Sequence, residues 1–259
     1  MDWIVLLLGG LFAGTLGGLL GIGGGVVLMP ILRFFVGLDP ARAAGTCVLA
    51  VFFTTLGGSY RHFKLGHLDV RFTAPVILSG ACATIVFSLL FVPLAQNGRW
   101  LDLAIGFVFA LISLRMIVEG LTSSRESDGE TQTGQRRNNA IWPRTAIGAT
   151  AGMLPGLLGI GTGVILVPAF TYFLGLPIKA AVASSLTSFC ANAFISSSFK
   201  LAQGFIDLNV ALPICAGTLV GSNLGAALNK RFPSNGVKLI FGLLFSYVAV
   251  QFVVSFYRA

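Results

Sequence analysis

The chain has 259 residues, 55% of them hydrophobic and 10% charged, with a net charge of +8 and a mean hydropathy of +0.88. That balance excludes an ordinary soluble globular domain and puts the protein in a bilayer, so its function is sought inside the membrane. The positive charge is scattered over short connections with no basic stripe interleaved with aromatics, which excludes nucleic acid as a partner and makes the charge a topology signal.

Apolar stretches suited to a hydrocarbon core recur from end to end. The first half offers segments at about residues 3–20, 26–36, 42–60, 72–94 and 101–121, and the second at about 145–158, 164–174, 180–199, 208–228 and 237–256. No basic stretch precedes the first segment and no small-residue cleavage site follows it, so it reads as a retained span. Residues 122–144 are rich in Ser, Thr, Gln, Asn and charge of both signs, a composition that builds no core and is costly in lipid. The expected organisation is repeat one at 1–121, a flexible polar linker at 122–144 and repeat two at 145–259.

The halves are called repeats because they carry near-copies of one phrase, GLLGIGGGVVLMP at 18–30 and GLLGIGTGVILVP at 156–168. The register continues without a gap through Gly37/Gly175, Leu38/Leu176, Ala43/Ala181, Gly66/Gly204, Asp69/Asp207 and Pro75/Pro213. Residues 3–36 are too many for one straight span, at about 1.5 Å per residue against a core of about 30 Å. Gly21, Gly23, Gly24 and Gly25 interrupt them, giving two spans or a re-entrant pair, because irregular backbone at that depth is tolerated only inside protein or beside water.

Five inserted segments per half put equivalent loops on opposite sides of the membrane. That scheme gathers Arg61, Lys64, Arg71, Arg125, Arg136, Arg137, Arg144, Lys179, Lys230, Arg231 and Lys238 on one face and Arg42, Arg99, Lys200 and Arg258 on the other, eleven against four; four segments per half would split them nine against six. The prediction is an all-α membrane protein of two inverted-topology repeats, each with about five membrane-inserted segments and glycine-broken helices. The linker is then cytoplasmic and both termini lie outside.

A glycine break followed by a half-helix leaves unpaired amides and a partial positive charge at the helix start, which favours an anion. The candidate binding residues are therefore Gly21, Gly23, Gly24 and Gly25, with Gly159, Gly161, Thr162 and Gly163. The competing reading is close helix packing by small residues. The third segment of each half adds uncharged donors, Thr46 in repeat one and Ser184, Thr187, Ser188 and Asn192 in repeat two; the alternative is that such groups bond back to their own helix carbonyls. His62 and Lys200 occupy equivalent positions and would attract an anion at a pathway mouth, whereas Arg61 and Lys64 are explained equally well by snorkelling.

Acidic residues fall at or beyond segment ends, so no acidic proton relay is visible, and Asp69 and Asp207 read as helix N-caps. Cys47, Cys82, Cys190 and Cys215 lack metal-ligand spacing and read as small buried apolar residues. Neither a zinc, a nucleophile-elbow nor a Walker motif is present, so a non-enzyme without cofactors is expected.

The paired phrases, each followed by a Gly-Leu turn and a small-residue helix containing Ser and Thr, resemble the TauE/SafE sulfite exporter family over nearly the whole chain. RHFKLGHLDV at 61–70, echoed by KLAQGFIDLNV at 200–210, resembles that family's segment between the third and fourth spans. The resemblance implies an inner-membrane secondary transporter of small sulfur-containing anions such as sulfite, organosulfonates or sulfoacetate. It implies a site at Gly21 to Gly25 with Pro30, and at Gly159 to Gly163 with Pro168; Thr162 in place of Gly24 makes the halves unequal. An anion channel is the first alternative, and a membrane-embedded enzyme or assembly subunit using Arg61, His62 and Asp69 the second. The expected partners are a small anion and lipid, with self-association left open.

Overall fold

In the computed structural model, the described residues are 2–20, 23–64, 69–122, 140–228 and 234–258. They form ten α-helices: α1 (Trp3–Leu20), α2 (Gly25–Pro30), α3 (Pro40–Lys64), α4 (Val70–Ala95), α5 (Gly98–Thr122), α6 (Ile141–Leu158), α7 (Gly163–Pro168), α8 (Ile178–Ala202), α9 (Leu208–Leu228) and α10 (Ser234–Arg258). An apolar chain in lipid must satisfy its own backbone, and helices do this segment by segment. α3, α4, α5 and α9 are long and apolar enough to cross a membrane. This is an all-helical integral membrane protein.

Every expected segment is helical, with boundaries moved by up to four residues. α6 begins at Ile141, inside the stretch read as linker. Polar composition carries the linker to residue 144, but Pro143 fits a first helical turn, where it lacks only an amide that would have no partner. Residues 123–139 of the linker lie outside the described residues.

The elements repeat at the spacing of the phrases. α1 and α6, α2 and α7, and α3 and α8 are offset by 138 residues at both ends. Beyond Pro30 and Pro168 each short helix widens into a π-helical turn, Ile31–Phe35 and Ala169–Phe173, where Val36 N–H reaches back to Ile31 O at 2.9 Å. Each turn closes on a left-handed glycine, Gly37 (φ 78°) and Gly175 (φ 66°), with Leu38 N–H on Leu32 O and Leu176 N–H on Phe170 O, both 3.1 Å. Asp69 and Asp207 cap α4 and α9: Asp69 Oδ1 accepts from Phe72 N–H (3.0 Å), and Asp207 Oδ1 from Asn209 N–H (3.1 Å).

Helices divide into two compact units, one of α1–α4 with α6–α9 and one of α5 with α10. In the larger unit the first helix of each repeat packs on the fourth helix of the other. Gly10, Gly14 and Gly18 of α1 lie against the backbone of α9 at Ile214, Thr218 and Ser222, and their equivalents Gly148, Gly152 and Gly156 lie against α4 around Val76, Gly80 and Thr84. Without side chains these positions let backbones touch, which drives association where lipid competes with any apolar side chain. α3 and α8 pack on each other.

In the smaller unit the Phe109 ring meets Phe245 and Phe252, and Ser113 and Ser255 bond to Gly242 O (2.8 Å) and Asp102 Oδ2 (3.0 Å). Cys47 and Cys215 are buried as expected; Cys82 is exposed and Cys190 half-buried, because α4 and α8 each turn a face outward there.

Candidate functional site

The glycine breaks are real interruptions. Helix α1 stops at Leu20 and α2 starts at Gly25, with Gly23 (φ 83°) and Gly24 (φ 72°) in the left-handed region that side chains disfavour. Gly24 folds back along α1, where its Cβ, if present, would lie 3.0 Å from Ala13 O. In repeat two, Gly159 (φ 68°) ends α6 tight against the Ala44 backbone of α3. Thr162, which precedes α7, keeps an ordinary right-handed backbone (φ −97°).

The two breaks meet. A Cβ on Gly25 would come within 2.9 Å of Gly161 N and 2.7 Å of Val51 Cγ2, and one on Gly23 within 2.7 Å of Phe189 Cε1. Both breaks therefore touch at backbone level and contact the long helices α3 and α8. All of this is buried.

Intrahelical bonding begins late on each side. Val27 and Leu28 N–H donate to Gly24 O (3.1 and 2.9 Å), and Ile165 and Leu166 N–H to Thr162 O (3.0 and 2.9 Å). The amides of Gly25, Val26, Gly163 and Val164 precede those bonds and carry the partial positive charge of a helix start. A helix start of this kind favours a negative charge nearby.

The third-segment candidates separate into two groups. Thr46 Oγ1 accepts from Asp207 N–H (3.2 Å) and Ser184 Oγ from Thr73 Oγ1 (3.1 Å), so both anchor the start of the other repeat's fourth helix. Thr187 bonds back to Ala183 O (2.9 Å) and sits 2.9 Å from Ser59 Oγ. Ser188 Oγ and Asn192 Oδ1 are buried without a hydrogen-bond partner among the described residues, as are Thr162 Oγ1 and Ser185 Oγ.

Lys200 is fully buried rather than at a mouth. Its ammonium donates to Pro155 O (2.8 Å), Gly156 O (3.0 Å) and Ser196 Oγ (3.3 Å), and lies 4.4 Å from the Phe91 ring centroid. It supplies the donors that the last turn of α6 lacks, just before the repeat-two break. Gly21 and the His62 side chain lie outside the described residues.

Val51 and Phe189 are site neighbours that sequence reasoning missed; Ser185 was among the third-segment hydroxyls but was not singled out. Ser185 stood in a Ser/Thr-rich run with nothing to set it apart, whereas the Gly10/Gly14/Gly18 spacing of four was a legible packing signal.

Comparison with known proteins gives the family. The family model described as "Sulfite exporter TauE/SafE" matches residues 6–252. The chain is 27% identical over 271 residues to "Probable membrane transporter protein YunE" of Bacillus subtilis, covering 98% of each chain. It is 30% identical over 273 residues to a "Probable membrane transporter protein" of Haemophilus influenzae, covering 96% of this chain and 97% of that one. "Sulfite exporter TauE/SafE family protein 1" of Arabidopsis thaliana is 32% identical over 114 residues, 42% of this chain and 25% of its own. No solved structure matches. With the family match running from α1 into α10, this chain belongs to the TauE/SafE sulfite exporter family of membrane transporters.

Proposed function

We propose that the protein is a secondary transporter of small sulfur-containing anions, such as sulfite, an organosulfonate or sulfoacetate, working by alternating access. The observation that carries this reading is the backbone contact between Gly25 and Gly161, which brings two helix starts from two repeats to one buried point. Broken helices at a repeat interface are where carriers hold their cargo. The reciprocal packing of α1 on α9 and of α6 on α4 supports an inverted pair of repeats that rock about that point. The sulfur chemistry comes from the family description, and the relatives' names favour a carrier over a channel. The setting is the bacterial inner membrane, with the linker cytoplasmic.

Labelled sulfite and sulfoacetate flux into proteoliposomes tests this. A carrier gives flux that saturates with concentration, a channel gives flux that does not, and folded protein that moves neither anion refutes the proposal. A reporter inserted in residues 123–139 checks the side of the linker.

A further inference from the structure

We infer that the two repeats bind unequally: repeat two holds the oxygen atoms of an oxoanion through the side chains of Thr162, Ser185, Ser188 and Asn192, while repeat one supplies backbone and an apolar wall. This rests on the anion-carrier reading above and deepens it. The four residues stand 138 positions after Gly24, Cys47, Ala50 and Thr54.

In repeat one the polar groups at these positions are satisfied. Cys47 Sγ lies 3.4 Å from Gly25 O, and Thr54 Oγ1 donates to Ala50 O at 2.9 Å. In repeat two, Thr162 and Ser188 are 0% exposed and Ser185 and Asn192 1%. Yet Thr162 Oγ1, Ser185 Oγ, Ser188 Oγ and Asn192 Oδ1 have no hydrogen-bond partner among the described residues. Hydroxyls on a helix ordinarily bond back to a carbonyl of the preceding turn, as Thr15, Thr54, Thr55 and Thr187 do here. Buried unpaired polar atoms are rare because water must be given up for nothing; Ser88 Oγ and Gln203 Oε1 are others, toward the far ends of α4 and α8, but the four on α8 and at the head of α7 call for a ligand as a group.

Their placement agrees. Spacings of three and four put Ser185, Ser188 and Asn192 on one arc of α8, and Phe189 in the same arc touches the repeat-one break at Gly23. Thr162 stands at the head of α7, which packs on α8. Hydroxyls turn freely, and the Asn192 amide, which packs against Gly80 of α4, presents its NH2 end by a half-turn about χ2, so each of the four can donate to an acceptor oxygen. A sulfonate or sulfite group offers three such oxygens, whereas a halide offers a single sphere.

The test uses the full-length protein in proteoliposomes, with labelled sulfite and sulfoacetate as probes and initial rate against concentration as the readout. Each position receives the residue that repeat one already holds there: Thr162→Gly, Ser185→Cys, Ser188→Ala and Asn192→Thr. Each swap should raise the half-saturating concentration by about tenfold, the worth of one charge-assisted bond, while Thr54→Ala raises it less than twofold. Sulfite should also raise the thermal unfolding temperature of the wild type and lose that effect in the swaps. Ser185→Cys and Ser188→Ala are near-isosteric, so these two keep the test valid if the others fail to fold. Unchanged half-saturation in both, with wild-type flux present, overturns the unequal grip alone. Folded wild-type protein that moves neither probe overturns the carrier reading and this inference together.

Discussion

The contact between the breaks is open to a one-methyl test, Gly25→Ala. Gly25 is not in the left-handed region, so the substitution adds no backbone strain there and probes proximity alone. The new Cβ would lie 2.9 Å from Gly161 N and 2.7 Å from Val51 Cγ2. Ordinary contact demands about half an ångström more, and a valine on a helix has one comfortable χ1 rotamer with which to yield. Overpacking of this kind costs about 1–3 kcal/mol, against which alanine gains at most about 0.5–1 kcal/mol over glycine in a helix. The clash wins by about 1–2 kcal/mol, a factor of about 5–30 in the equilibrium constant for the state in which the breaks touch.

Saturable anion flux in proteoliposomes should fall by that factor, and the unfolding temperature in detergent by about 2–4 °C per kcal/mol. Gly37→Ala is the control. Gly37 has φ 78° with nothing near its missing Cβ, so alanine there pays only the left-handed strain of about 1–2 kcal/mol and should lower stability without lowering flux. Wild-type flux and unfolding temperature in Gly25→Ala would refute the contact and the anion site proposed on it.

Three further substitutions test the supports of the site. Lys200→Met leaves Ser196 Oγ on Pro155 O (2.6 Å) but orphans Gly156 O, at about 1–3 kcal/mol, read as a drop in unfolding temperature. Gly14→Val and Gly152→Val drive side chains into the backbone of α9 and α4 at Thr218 and Gly80; both should lower the yield of monodisperse protein, and to a similar degree because the positions are equivalent. Thr46→Val removes the acceptor for Asp207 N–H and should cost about 1 kcal/mol of thermal stability.

Much of the molecule was legible locally. Apolar length marked the helices, the glycine runs marked where α1 and α6 stop, and Asp69 and Asp207 read correctly as caps, because each depends on bonds within a few residues. Glycine was ambiguous: the same residue type breaks the chain at Gly23 and Gly24 and packs a straight helix at Gly10 and Gly14. The difference lies in whether a neighbouring backbone fills the missing side chain. Thr46 and Ser184 read as ligand donors, and the structure bonds both at the start of a helix of the other repeat, while Ser185, one more hydroxyl of the same run, was not singled out, since hydrogen-bond partners on other helices leave no trace in spacing.

By itself the sequence determined the membrane setting, the ten helical segments and the duplication at 138 residues, all consequences of composition and short-range periodicity. Only the tertiary structure decided that first helices exchange partners between repeats, that α5 and α10 form their own unit, that Lys200 caps α6, and that Gly25 meets Gly161. The physical reason is the solvent: in lipid an outward face is as apolar as an inward one, so no hydrophobic stripe records which helix lies beside which.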